Sequence, residues 1–211
     1  MARKAGTKGA RGKRAAARPA DAGSAAIEAA LRLAAEKGWA RVSLAEVAEA
    51  SGLKMSELYA RFPSKQAILD GLGRQVDREV LEAVDAEAPE GSARDRLFDV
   101  LMRRFDALEA HRDGLKAVLR SAACDPLALL CGAFGLRRSM AAMLEAAGLS
   151  ASGVVGLLRI KGVSAAYLLA LRAWLSDDSA DKAHTMAVLD RALRRAESWA
   201  SMLGRTKPAP A

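Results

Sequence analysis

The sequence predicts an all-α fold in two parts, a short helix-turn-helix unit followed by a longer set of amphipathic helices. Three observations carry that expectation. Apolar residues make up 51% of the chain but aromatics only 4%, and the six prolines sit at the ends or between segments. Apolar positions recur at steps of three and four, the spacing of one helical face. Finally, Ser43 to Leu69 reads as two short helices joined by a tight turn at Ser51-Gly52, with a third helix starting after Pro63.

The first segment is set apart by charge. Residues 1–18 contain Arg3, Lys4, Lys8, Arg11, Lys13, Arg14 and Arg18 and no acid. The rest of the chain holds 26 basic and 25 acidic groups, so nearly all of the net +8 belongs to this Gly/Ala-rich arm. Residues 1–22 are expected to be a disordered basic arm, because such a composition cannot pack a core. Beside a helix-turn-helix, Arg11, Lys13, Arg14 and Arg18 are expected to follow phosphates or enter the minor groove. Ser24 is expected to cap the first helix, with Ile27, Ala30, Leu31, Ala34 and Ala35 inward, Gly38 closing it and Trp39 in the core.

Ser43 opens the next helix with Glu46 three residues on, a capping box, and Val42 and Val47 stand at staple positions. A second helix is expected over about Lys54–Arg61. Leu58 and Phe62, four apart, face the first helix, while Tyr59 and Arg61 point away. Pro63 ends it, Ser64 can cap the following helix, and Lys65 lies in that helix's first turn, where anions are favoured.

The run G-L-x-x-x-x-L-Y-x-R-F-P-S-K-x-x-I-L resembles the DNA-binding domain of TetR-family transcriptional regulators over about Ser24 to Leu72. The resemblance implies an N-terminal three-helix helix-turn-helix DNA-binding domain over residues 23–72 and a C-terminal helical ligand-binding and dimerisation domain over 73–204, with a disordered tail at 205–211. By position in that motif, Lys54, Met55 and Ser56 are expected to reach base edges. Ser43, Tyr59, Arg61 and Lys65 are expected to meet phosphates. Glu57 departs from the family pattern: an acid there repels phosphate unless it accepts from a cytosine amine or pairs with Arg61. Residues 24–70 hold six basic and six acidic groups, so DNA affinity is expected to lean on the arm and to depend steeply on salt.

Lys65 to about Glu87 reads as a connector helix with Ile68, Leu72, Val76, Val80 and Val84 inward, broken off by Ala88-Pro89-Glu90-Gly91. Gly71 and Gly73 inside it each cost about 1 kcal/mol relative to alanine. Further helices are expected from Ser92 or Arg94 to before Gly114, from Leu115 to about Cys124, and from Asp125-Pro126 to Ala147. The last helix pair, about Ser152–Ser176 and Lys182–Leu203, has the strongest apolar periodicity. The resemblance implies that this pair builds a homodimer that places two readers on a palindromic operator. It also implies a pocket for an unknown small-molecule effector, with Leu101, Phe105, Leu119, Phe134, Met140, Met143, Tyr167 and Leu171 as the candidate lining. Arg137, Arg138 or His111 is a candidate partner for an acidic head group.

No charge-free apolar run of about 18 residues is present, so neither a membrane span nor a membrane partner is expected, and the protein is expected to be cytoplasmic. Cys124 and Cys131 lack metal-ligand spacing and are expected to be buried small hydrophobes. No catalytic residue, metal site or cofactor is expected: His111 and His184 are far apart, and no phosphate loop or nucleophile motif occurs. The segments Arg94–Phe98, Phe105–Leu108 and Trp174–Ser179 are also similar to the lipid-binding family that assists coenzyme Q biosynthesis. That family keeps the fold without sequence-specific DNA binding. The intact reader motif and the short, proline-rich end after Leu203 argue against that alternative.

Overall fold

The computed structural model describes residues 19–122 and 125–205, with side chains from 22 to 122, at 125 and from 129 to 198. The described residues contain nine α-helices and two 3-10 turns and no strand. Helix α1 spans Pro19–Lys37, α2 Leu44–Ser51, α3 Met55–Arg61 and α4 Lys65–Ala86. Then follow α5 (Ala93–Leu108), α6 (Arg112–Ala122), α7 (Pro126–Ala146), α8 (Gly153–Trp174) and α9 (Ala183–Arg205).

The start of α1 corrects the sequence reading. Ser24 is not its cap: the helix begins five residues earlier, at Pro19, which suits a first helical position. Ser24 instead donates from Oγ to Gln75 Oε1 of α4 at 3.2 Å. Ala35 is exposed and Ala26 buried, so the inward stripe is Ala26, Ile27, Ala30, Leu31 and Ala34. Gly38, at φ 85°, turns the chain so that Trp39 lies in the core. The basic arm, residues 1–18, and the tail after Arg205 lie outside the described residues.

The connector α4 has the expected extent and is capped by Ser64, whose Oγ accepts from the Ala67 N–H at 3.1 Å. Its two glycines are not equivalent. A Cβ on Gly71 would stand 2.6 Å from Phe62 Cε1, whereas nothing lies within 4 Å of one on Gly73. Gly71 therefore lets the end of the reader pack onto the connector. A second close approach joins the two domains at Gly114 of α6, where a Cβ would meet the Leu31 carbonyl oxygen of α1 at 2.6 Å.

Ser92 caps α5 in a box with Asp95, and α7 runs unbroken through Gly132 and Gly135. Helices α8 and α9 make the most extensive helix pairing among the described residues. Between them Asp177 accepts from the backbone and hydroxyl of Thr185 at 2.8 and 2.7 Å, fixing the start of α9. By length and composition alone α8 is long and apolar enough to cross a bilayer, though it carries Arg159, Lys161 and Arg172. Here Ile160, Val163, Ala166, Tyr167, Ala170 and Trp174 bury one face of it in the core. Cys131 is half-exposed, not buried, and Cys124 lies outside the described residues.

Candidate nucleic-acid interface

The reader is built from its caps inward. Ser43 Oγ accepts from the Glu46 N–H, and Glu46 in return accepts from the Ser43 N–H at 2.9 Å and its hydroxyl at 2.7 Å. The ion pair with Lys37, together with these Ser43 bonds, lowers the Glu46 carboxyl to about 2. Val42 and Val47 are both buried, as a staple requires. At the other end of α2, Gly52 takes the left-handed conformation at φ 71°, and the Leu53 N–H reaches back to the Ala48 carbonyl at 2.9 Å. That 6→1 bond is the glycine-dependent helix ending that redirects the chain into α3.

Helix α3 is divided cleanly. Leu58 is fully buried and Phe62 nearly so, anchoring the helix on its inner side. Lys54, Met55, Ser56, Glu57, Tyr59 and Arg61 are all exposed, with Met55 at 45% and Tyr59 at 58%. Lys54 is the N-cap rather than the first helical residue. Glu57 has a role beyond the two weighed from the sequence. Its Oε2 accepts from the Lys54 backbone N–H at 3.1 Å, so the acid caps its own helix.

Two expected phosphate contacts are engaged within the chain. Ser43 Oγ is committed to its box. Lys65, half-buried, donates from Nζ to the Trp39 carbonyl at 3.0 Å and stands over the Trp39 ring at 5.1 Å. The arm residues Arg11, Lys13, Arg14 and Arg18 lie outside the described residues.

Residues 26–72 match the family model described as bacterial regulatory proteins, tetR family. The helix-turn-helix unit is thus similar to the N-terminal domain of tetR-family regulators. Most of the chain is also similar to solved TetR regulators. One from Nitrosomonas europaea ATCC 19718 has TM-score 0.69 at 22% identity, over 86% of this chain and 99% of its own. Another, from Rhodococcus sp. RHA1, has TM-score 0.62 at 25% identity, over 84% and 96%. A Streptomyces coelicolor structure described as a tetR-family transcriptional regulator has TM-score 0.54 at 18% identity, over 91% and 92%. No curated protein matches the chain. The fold is that of these solved regulators, with helix-turn-helix and helical second domain in the expected order.

The expected effector lining is brought together only in part. Leu101, Phe105, Met140, Met143 and Tyr167 are buried together in the core, and Leu171 packs against them half-buried. The Phe105 and Tyr167 rings stack at 5.1 Å, so these residues fill the interior themselves. Phe134 is 64% exposed and does not line that interior, because the first half of α7, with Leu129 and Leu130, presents apolar side chains to solvent. Leu119 is half-buried outside the main core cluster. A cavity of about 570 Å³ opens elsewhere, against Glu28, Leu31, Arg32, Glu109, His111 and Arg112. Arg137 and Arg138 are exposed.

Sequence reasoning missed a charged cluster inside this core. Asp77 of α4, Arg104 of α5, Ser139 of α7 and Tyr167 of α8 are buried together and joined by hydrogen bonds. The signal was available. Arg104 falls on the stripe Leu97, Leu101, Leu108, and Asp77 lies beside Val76 on the inward side of α4. Charges at core positions of amphipathic helices are rarely buried without a partner.

Proposed function

We propose that the protein is a homodimeric DNA-binding transcriptional regulator, a repressor that leaves a palindromic operator when a small effector with an apolar body binds the second domain. The observation that carries this reading is the outer face of α3. Lys54, Met55, Ser56 and Tyr59 are exposed side by side on a helix anchored by Leu58 and Phe62. Lys54 suits guanine O6 or N7 and Met55 a thymine methyl, while Tyr59 and Arg61 suit phosphate oxygens. Lys65 and Ser43 then act first by fixing the two ends of the reader, and the arm supplies most of the electrostatic attraction.

The dimer reading is supported by α8. Its face away from the core carries Val154, Leu158, Leu168 and Leu169, between 48% and 78% exposed, with Val155 and Leu157 beside them. An apolar face of this length on a paired helix suits packing against a second copy. Within that reading the protein is cytoplasmic, and it is a binding protein rather than an enzyme.

The test is equilibrium binding to a duplex carrying the protein's own upstream region, at two salt concentrations. Wild type is compared with Tyr59→Ala and with a chain lacking residues 1–18. Saturable binding that resists competitor DNA, is lost in Tyr59→Ala and is weakened without the arm supports the regulator. Weak, unspecific binding carried wholly by the arm favours the lipid-binding alternative.

A further inference from the structure

Among the described residues, the second domain buries two polar groups, Asp177 with Thr185 at the start of α9 and a larger cluster around Arg104. Arg104, 6% exposed, spends all three guanidinium nitrogens inside the chain. Nη1 pairs with Asp77 Oδ1, Nη2 donates to Ser139 Oγ at 3.4 Å, and Nε donates to the Tyr167 hydroxyl at 3.3 Å. Ser139 in turn donates to Asp77 Oδ2 at 2.7 Å. One carboxylate is therefore gripped on both oxygens, by a guanidinium on one side and a hydroxyl on the other. The guanidinium carbon also lies 5.5 Å from the Tyr167 ring centre, which is stacked on Phe105.

Two features set this cluster apart from ordinary core packing. A buried ion pair gains little over apolar side chains of the same volume, so it adds little stability by being there. And its carboxylate comes from α4, the helix that begins at the end of the DNA reader, whereas the groups that grip it come from α5 and α7. Anything that takes the place of Asp77 removes the connector's buried polar tie to α5 and α7.

We propose that Arg104 and Ser139 form a carboxylate-binding cradle that Asp77 fills in the free protein. Its ligand is an organic acid with an apolar or aromatic body, whose carboxylate exchanges with that of Asp77. Phe105, Tyr167, Met140 and Met143, which fill the interior in the free protein, repack around that body. Leu129, Leu130 and Phe134 stand exposed on α7, the helix that also carries Ser139. That such a ligand is the effector rests on the regulator reading above. The cradle's affinity for carboxylates does not.

The test is chemical rescue with sodium acetate, the smallest probe of the cradle. Thermal melting of the full chain is followed in acetate and in chloride at equal ionic strength, without DNA. Asp77→Ala removes the built-in carboxylate and leaves room for the probe. Asp77→Ser gives a second, hydroxyl-bearing variant should the first fail to fold. Wild type, whose cradle is filled, sets the general salt effect. A ligand that binds only the folded state raises the melting temperature. Acetate is expected to raise it well above chloride in either variant, and roughly tenfold more weakly in apparent affinity when Arg104→Met is added. An acetate increment no larger than that of wild type, or one that survives Arg104→Met, overturns the proposal. Because no DNA is present, failure here leaves the regulator reading standing. Loss of DNA binding in the earlier experiment leaves the cradle standing.

Discussion

Gly71 of the connector helix lies so close to Phe62, the last anchor of the recognition helix, that a Cβ would sit 2.6 Å from the ring. The orientation of the DNA-reading face is thus tied to α4 through one missing side chain. Gly71→Ala gains about 1 kcal/mol of helix propensity but forces a buried ring aside, an overpacking cost of about 1–3 kcal/mol. The expected result is net destabilisation in urea melts together with weaker DNA binding. Gly73→Ala, where the space is open, is expected to stabilise by about 0.4–1 kcal/mol.

Glu57 sits on the face offered to DNA yet caps α3 through the Lys54 N–H. Glu57→Gln keeps an acceptor at that position and removes one negative charge. Fold stability is expected to change by less than about 0.5 kcal/mol, with tighter DNA binding at low salt. Glu57→Ala removes the acceptor as well and is expected to cost about 0.5–1 kcal/mol in denaturant melts.

The Glu46 carboxyl is lowered to about 2 by Lys37 and by the Ser43 box. A lowered carboxylate stabilises the fold fully above its unfolded value, and that contribution fades as pH falls through the folded value. The contribution of Glu46 should therefore be complete above about 4.5 and lost between there and about 2. Stability measured against pH is expected to fall less steeply in that window in Glu46→Gln than in wild type.

The Arg104–Asp77 pair gives a prediction of opposite sign for single and double variants. Arg104→Met leaves Asp77 buried without its cation and is expected to cost about 3–5 kcal/mol. Adding Asp77→Leu removes the stranded charge, and most of that loss should return. Denaturant melts of the three chains make the comparison.

Much of the reader was legible because its signals are local. Ser43 with Glu46, Gly52, Pro63 and Ser64 each fix a helix end through bonds within a few residues, and each end lies where those residues place it. The start of α1 was not legible, because Pro19 and Ser24 both suit a helix opening and only the packing of Ser24 on Gln75 separates them. Lys65 shows the same limit. Its place in a helix's first turn suggested phosphate, but Trp39, 26 residues earlier, supplies both a carbonyl and a ring. Phe134 was a candidate for the pocket lining, yet it stands 64% exposed, because tertiary packing, which no local pattern records, decides which side of α7 is covered.

The most direct test of the central claim is selection of bound duplexes from a random pool by the full chain, repeated with Tyr59→Ala. The account predicts recovery of one palindromic sequence whose half-sites lie about one helical turn or more apart, with no enrichment by Tyr59→Ala. A pool that stays unenriched, or the same enrichment from both chains, would contradict it.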